Sequence, residues 1–196
     1  MPDLTTWQPV LPIVGASILG YSLGSIPTAR WVAGRSGVDP LQAGEGNPGA
    51  TNVWRLLGPR AGLMVLAGDI AKGAFAAVAG LLLGGWWAGC AGLVLAMAGH
   101  AWPPWSGFRG GRSVACLIGG GLVLGPLPAA IAIGLFLLLR RPLGLGRTAT
   151  IGLLSYPPLF WALAADRWRL IGIGVAYLTL VAAWMHFAQR RKAAAA

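Results

Sequence analysis

Long apolar runs dominate this chain, separated by short stretches in which glycine, proline and arginine are concentrated. The first run extends from about Pro9 to Ala29. Others follow at roughly Ala61–Leu83, Trp86–Ala101, Ser113–Leu124, Leu127–Leu139, Ile151–Ala165 and Leu170–Phe187. A helix needs about 20 apolar residues to cross a bilayer, and several of these runs are shorter. The pattern therefore predicts one all-α domain over residues 1–196, a polytopic membrane helix bundle of about seven spans, or five if the two shortest runs do not cross. Within Ser113–Leu139, Gly119, Gly120, Gly121, Pro126 and Pro128 allow either two short helices or one kinked helix.

Composition makes the class firm. Of 196 residues, 56% are hydrophobic and only 10% charged, against about 25% charged in soluble domains; mean hydropathy is +0.68. Glycine, 31 residues, is about twice its usual share of roughly 7%. Small residues let membrane helices approach closely, and Gly80/Gly84, Gly85/Gly89 and Gly121/Gly125 have the spacing for it. Cys90 and Cys116 both fall in apolar runs, which points to neither a disulfide nor a metal site.

Net charge is +10. In a soluble protein that would indicate nucleic acid, but here no nucleic-acid partner is expected, because the basic residues follow the span pattern. With seven spans, Arg30, Arg35, Arg55, Arg60, Arg109, Arg112, Arg140, Arg141, Arg147, Arg190, Arg191 and Lys192 share one side. Only Arg167 and Arg169 reach the other, and Lys72 lies within a span. The positive-inside rule then places the N-terminus outside and the C-terminus in the cytoplasm. No basic residue precedes the first run, the reverse of a signal peptide, so an uncleaved span is expected. Trp7, Trp31, Trp102, Trp105 and Trp168 lie near span ends, where an aromatic belt belongs.

The same polarity gathers every glycine- and arginine-rich loop on the cytoplasmic face. The richest is GEGNPGATNVWR, Gly44–Arg55. Its glycines and Asn47-Pro48 are turn chemistry that exposes backbone N–H groups as an anion nest. Thr51 or Asn52 is expected to cap a short helix whose N-terminus adds its dipole. Arg55, four residues past Thr51, leans back toward the same anion. A tight connection between spans is the alternative for these residues. In GFRGGRS, Gly107–Ser113, two guanidiniums bracket two glycines before an apolar helix, a combination suited to a phosphoryl group. Asp69 and Lys72, three apart on one span, are expected to form a structural ion pair, and His100 to be hydrogen-bonded at a span end.

GSIPTA (Gly24–Ala29), GEGNPGATNVWRLLG (Gly44–Gly58), DIAKG (Asp69–Gly73) and GHAWPPWSGFRGGRSVA (Gly99–Ala115), in this order and spacing, resemble the bacterial acyl-phosphate:glycerol-3-phosphate acyltransferase family. The resemblance implies a multi-pass protein of the bacterial cytoplasmic membrane, acting as a monomer among membrane lipids, with its active site on the cytoplasmic face. Its activity would be transfer of a fatty acyl group from acyl phosphate to the 1-hydroxyl of glycerol 3-phosphate, yielding lysophosphatidic acid and phosphate. No cofactor or metal is implied.

Both substrates carry phosphate, which accounts for two cationic glycine-rich loops. Acyl phosphate is already an activated anhydride, and the chain has no G-x-S-x-G elbow, so catalysis would rest on positioning and charge stabilisation. The resemblance implies Arg55, Arg112 and His186 as catalytic residues. It implies substrate contacts from Ser25, Gly46, Asn47, Thr51, Asn52, Arg109, Gly110, Gly111, Thr150 and Gln189.

Several positions depart from the family pattern. Glu45 stands where serine is usual and brings a charge that repels phosphate; Arg109 and Arg112 stand for lysines; Thr150 stands for serine, and Gln189 for asparagine. A weakened relative that binds acyl phosphate or lysophospholipid is the second reading, and a small anion transporter the third.

Overall fold

A computed structural model describes residues 10–143. The chain divides between Leu124 and Gly125 into two compact units. All regular structure among the described residues is helical, as the apolar pattern predicts.

In the first unit, α1 (Val10–Gly24) is followed by the short α2 (Thr28–Gly34). The expected run to Ala29 is thus broken at Ser25–Pro27. Pro27 cannot donate to a helical carbonyl and keeps Ile26 out of helical geometry. Within α1, the Ser17 and Ser22 hydroxyls donate to the carbonyls of Ile13 and Ile18, both at 2.8 Å. Such back-bonding spends side-chain polarity inside the helix itself.

After a loop, α3 (Ala50–Leu57) leads into α4 (Pro59–Ala101). Pro59 takes the first helical position, where its missing N–H costs nothing. The predicted division between Leu83 and Trp86 is present inside α4: Gly84 and Gly85 leave helical geometry, Gly85 at φ 70° and ψ −155°. The arm 86–101 folds back on the arm 59–83, so that a Cβ at Gly80 would strike the Ala88 carbonyl and one at Gly92 the Ala76 carbonyl. A single 3-10 turn, Pro104–Ser106, and a glycine-rich loop lead to α5 (Val114–Leu124).

Small residues line much of the unit's interior, with Val53, Val65, Leu93, Met97 and Leu117 also buried, and many large side chains face outward. Ala16, Ala33, Ala76, Ala77, Ala88 and Ala96 are buried, whereas Leu11, Ile18, Phe75 and Leu82 are exposed, Leu82 at 83%. That inversion suits lipid, where helices associate by close van der Waals approach and not by hiding apolar surface. Gly20 and Gly24 of α1 lie on the carbonyls of Gly92 and Ala96, and Gly73 and Gly119 lie on those of Cys116 and Ile70. Of the glycine pairs read from spacing, Gly80, Gly84 and Gly89 do make close approaches; Gly20 and Gly24, four apart on α1, make equally close ones, as do Gly73, Gly92 and Gly119. Among the described residues, two stretches, Val10–Gly34 and Pro59–Ser106, are long and apolar enough to cross a membrane.

In the second unit, α6 (Pro126–Leu143) covers the run expected at Leu127–Leu139. Gly125 separates it from α5, so the region holds two helices and not one kinked one. The runs expected at Ile151–Ala165 and Leu170–Phe187 lie outside the described residues.

Gly24→Ala should lower stability by about 1–3 kcal/mol, the usual cost of overpacking, because its Cβ would meet backbone. Gly15, with nothing within 4 Å, should accept alanine without loss. Thermal unfolding of the two purified variants in detergent checks this, and equal midpoints would contradict the packing.

Candidate functional site

The polar end of the first unit is built on the break between α1 and α2. Breaking a helix in an apolar bundle strands carbonyls that must find donors. Trp105 Nε1 donates to the Ser25 carbonyl at 2.5 Å, and Lys72 Nζ donates to the Ile26 carbonyl at 2.8 Å. Lys72 Nζ also lies 2.7 Å from Asp69 Oδ1 and 3.4 Å from His100 Nδ1. An ammonium has three protons, and each has a partner here.

Asp69 accepts in addition from the Thr28 hydroxyl, and its Oδ1 lies 3.7 Å from His100 Nδ1. The expected Asp69–Lys72 ion pair is therefore present, almost wholly buried, and His100 and Thr28 are part of it. No local spacing ties His100 to Lys72, 28 residues away.

The loop before α3 is turned by glycines and tied by one side chain. Gly44 and Gly46 take φ 64° and 63°, the left-handed region that glycine enters without strain. Asn52 is 1% exposed. Its Oδ1 accepts from the Glu45 amide at 2.9 Å, and its Nδ2 donates to the carbonyls of Pro40, Ala43 and Asn47 at 3.0–3.1 Å. These bonds make Asn52 the organiser of the loop.

The expectation that Thr51 or Asn52 caps the helix is corrected. Helix α3 begins at Ala50, its N-cap is Gly49, and no side chain caps it. Asn52 sits inside the helix and is occupied with the loop behind it.

GFRGGRS folds over His100. The Gly111 amide donates to the His100 carbonyl at 3.0 Å, and a Cβ at Gly110 or Gly111 would strike the His100 carbonyl or its Nε2. These glycines permit close backbone approach, and the Gly111 N–H is engaged with protein. The Gly46 amide likewise donates to Ala43, so the anion nest read from these glycines is narrower than expected. Ser113 adopts φ 59°, uncommon for a residue with a Cβ, and its buried hydroxyl donates to the Met97 carbonyl at 2.7 Å.

The two arginine loops meet at Glu45. Arg55 Nη1 pairs with Glu45 Oε1, and Arg112 Nη2 lies 3.3 Å from Glu45 Oε2. Thus Arg55, from α3, and Arg112, just ahead of α5, are brought onto one carboxylate. Arg30, on α2, reaches Asp39 at 4.0 Å.

Beside this lies a cleft of about 30 Å³ whose lining includes Ser25, Thr28, Lys72, His100 and Arg109. Ser25 is buried and its hydroxyl donates to the Tyr21 carbonyl at 2.7 Å. Arg109 is exposed, Thr51 is exposed and Asn47 is half-buried. His186, Thr150 and Gln189 lie outside the described residues. Trp105 and Glu45 are the members that sequence reasoning missed as ties between loops. Among the described residues, no group of three histidines, cysteines or carboxylates could hold a metal ion.

A family model described as Glycerol-3-phosphate acyltransferase matches residues 14–196. The glycerol-3-phosphate acyltransferase of Desulforudis audaxviator is 36% identical over 183 residues, 90% of this chain and 88% of that protein. That of Symbiobacterium thermophilum is 44% identical over 123 residues, 63% of this chain and 61% of that protein, so this second match spans less than two thirds of the relative's length. Among solved structures, the fold is similar to PlsY (YgiH), an integral membrane glycerol 3-phosphate acyltransferase, in its glycerol 3-phosphate form, with a TM-score of 0.82 at 24% identity over 92% of each chain. Its lysphosphatidic acid form gives 0.74 at 25% identity, covering 92% of this chain and 88% of that one.

Removing Lys72 would leave Asp69 buried without its counter-charge, which costs about 3–5 kcal/mol. Lys72→Met should lose that much stability, and Asp69→Asn/Lys72→Met should regain part of it. Chemical unfolding of the three proteins in detergent checks this; a Lys72→Met variant as stable as the parent would show that the cluster does not hold the polar end together.

Proposed function

The chain belongs to the glycerol-3-phosphate acyltransferase family, and from that premise we propose that it transfers a fatty acyl group from acyl phosphate to the 1-hydroxyl of glycerol 3-phosphate. The products are lysophosphatidic acid and inorganic phosphate. The observation that carries this reading is the convergence of Arg55 and Arg112, from separate loops, on a single anionic group, beside a cleft that also presents Arg109. Two cationic positions on one polar face match two phosphorylated reactants.

In the reaction, the 1-hydroxyl oxygen attacks the acyl carbonyl, a carbon–oxygen ester bond forms, and the bond from that carbon to the bridging phosphate oxygen breaks. The hydroxyl proton ends on a phosphate oxygen, so no side chain need carry an acyl intermediate. Arg55 and Arg112 act by orienting phosphate and by balancing the negative charge that gathers on the leaving group. Asn47 and Thr51 support Arg55 at one phosphate, and Arg109 and Gly110 lie toward the other. His186, Thr150 and Gln189 would complete the site. The Asp69–Lys72–His100 cluster acts from beneath, by fixing the cleft floor.

The arginine-rich loops belong on the cytoplasmic face of a bacterial inner membrane, where the positive-inside rule places the basic residues. The N-terminus is then outside, the bundle has about seven spans, and the protein works as a monomer. A second reading, a relative that binds these ligands with weak turnover, is favoured by one feature, Glu45 pairing with both arginines.

Purified protein given acyl phosphate should release phosphate only when glycerol 3-phosphate is also supplied. Arg55→Ala and Arg112→Ala should each reduce that release by about 10²–10³-fold, the cost of losing a charge-stabilising donor. Both arginines are partly exposed, so unfolding midpoints should stay near that of the parent. Full turnover in either variant would remove that arginine from the reaction, and no acceptor-dependent release in the parent would leave the weak-turnover reading.

A further inference from the structure

We infer that the Glu45 carboxylate is a built-in competitor for the phosphate site: it occupies the place of a substrate phosphate between Arg55 and Arg112 and must swing out for phosphate to enter. The inference rests on the proposed phosphate-binding role of these arginines. It concerns how that site is kept when empty.

The geometry carries it in three steps. First, the two carboxylate oxygens are divided between two guanidiniums, Oε1 to Arg55 and Oε2 to Arg112, at 3.3 Å for the latter. A phosphoryl group held by the same pair would present its oxygens in the same manner. Second, Glu45 is firmly placed in its backbone and free only in its side chain. Its amide is held by Asn52 Oδ1 at 2.9 Å, and the glycines on either side, Gly44 and Gly46, are in left-handed turns. Rotation about the side-chain bonds is thus the available motion, and the loop need not unfold to release the arginines. Third, the pairing is exposed enough to be exchanged. The side chains of Glu45 and Arg55 are 31% and 55% exposed, and that of Arg112 is 23% exposed. Exposed ion pairs of this sort are weak, and a phosphate dianion has more charge and more acceptor oxygens than a carboxylate.

Two consequences follow from charge alone. In the empty protein the carboxylate offsets the mutual repulsion of two guanidiniums and holds loops 67 positions apart in sequence in register. The same carboxylate raises the concentration of phosphate needed to fill the site, by the strength of the pairs it must give up, roughly three- to tenfold.

The test uses the full chain in detergent and inorganic phosphate as the probe, with binding read by titration calorimetry. Glu45→Gln keeps the side-chain length and removes the charge; Glu45→Ser removes the reach as well. Both should bind phosphate about three- to tenfold more tightly than the parent. Glu45→Asp, too short to bridge both arginines, should fall between. An unchanged or weaker dissociation constant in folded Glu45→Gln and Glu45→Ser would overturn the inference and make Glu45 a latch that phosphate binding needs. Failure of parent and variants alike to bind phosphate would overturn it too. Acyl transfer is assayed separately: a parent that binds phosphate and gains affinity in Glu45→Gln, yet transfers no acyl group, would uphold the competitor and reject the proposed reaction.

Discussion

The polar end of this molecule depends on one buried ammonium. Lys72 Nζ joins the carbonyl stranded by the α1–α2 break, the Asp69 carboxylate on its own helix, and His100 at the far end of the folded-back arm. A charge so deeply buried is tolerable only when every donor is matched and a counter-charge is in contact. Meeting that condition brings three chain segments to one point. Everything nearer the cleft is laid upon it: Trp105 closes the second stranded carbonyl, and the GFRGGRS loop rests on His100.

The second constraint is closeness. Where helices cannot gain by hiding apolar surface from water, they gain by approach, and here backbones lie against backbones at Gly20, Gly24, Gly73, Gly92 and Gly119. Large side chains such as Leu82 and Phe75 are left for the surrounding lipid. The glycines of the site continue the same logic into the loops. Gly110 and Gly111 are small because His100 is underneath them. A glycine-rich cationic loop thus serves packing, and a phosphate cradle cannot be counted from bare amides alone.

Glu45 changes the meaning of an arginine pair. Two guanidiniums aimed at one point would repel each other; with a carboxylate between them they form a closed ionic group that holds two loops together. Two arginines far apart in the sequence are, in the folded chain, joined through one carboxylate. On the proposed reading, pairing and ligand binding use the same atoms, so the strength of the ion pairs and the affinity are linked with opposite sign.

The helices, the break at Gly84–Gly85 and the Asp69–Lys72 pair were legible in the sequence, because each is set by neighbours within a turn or two: apolar runs, glycine punctuation and three-residue spacing on one helix. The family was legible from four motifs in order. The partners of Lys72 across the chain, the hold of Trp105 on Ser25, the inward use of Asn52 and the bridging of Arg55 and Arg112 by Glu45 were not. Those contacts join positions 5 to 80 residues apart, and no local periodicity records which groups will share a site. Side-chain chemistry alone said that Glu45 would oppose phosphate; only the packing of the loops decided that it would stand between Arg55 and Arg112.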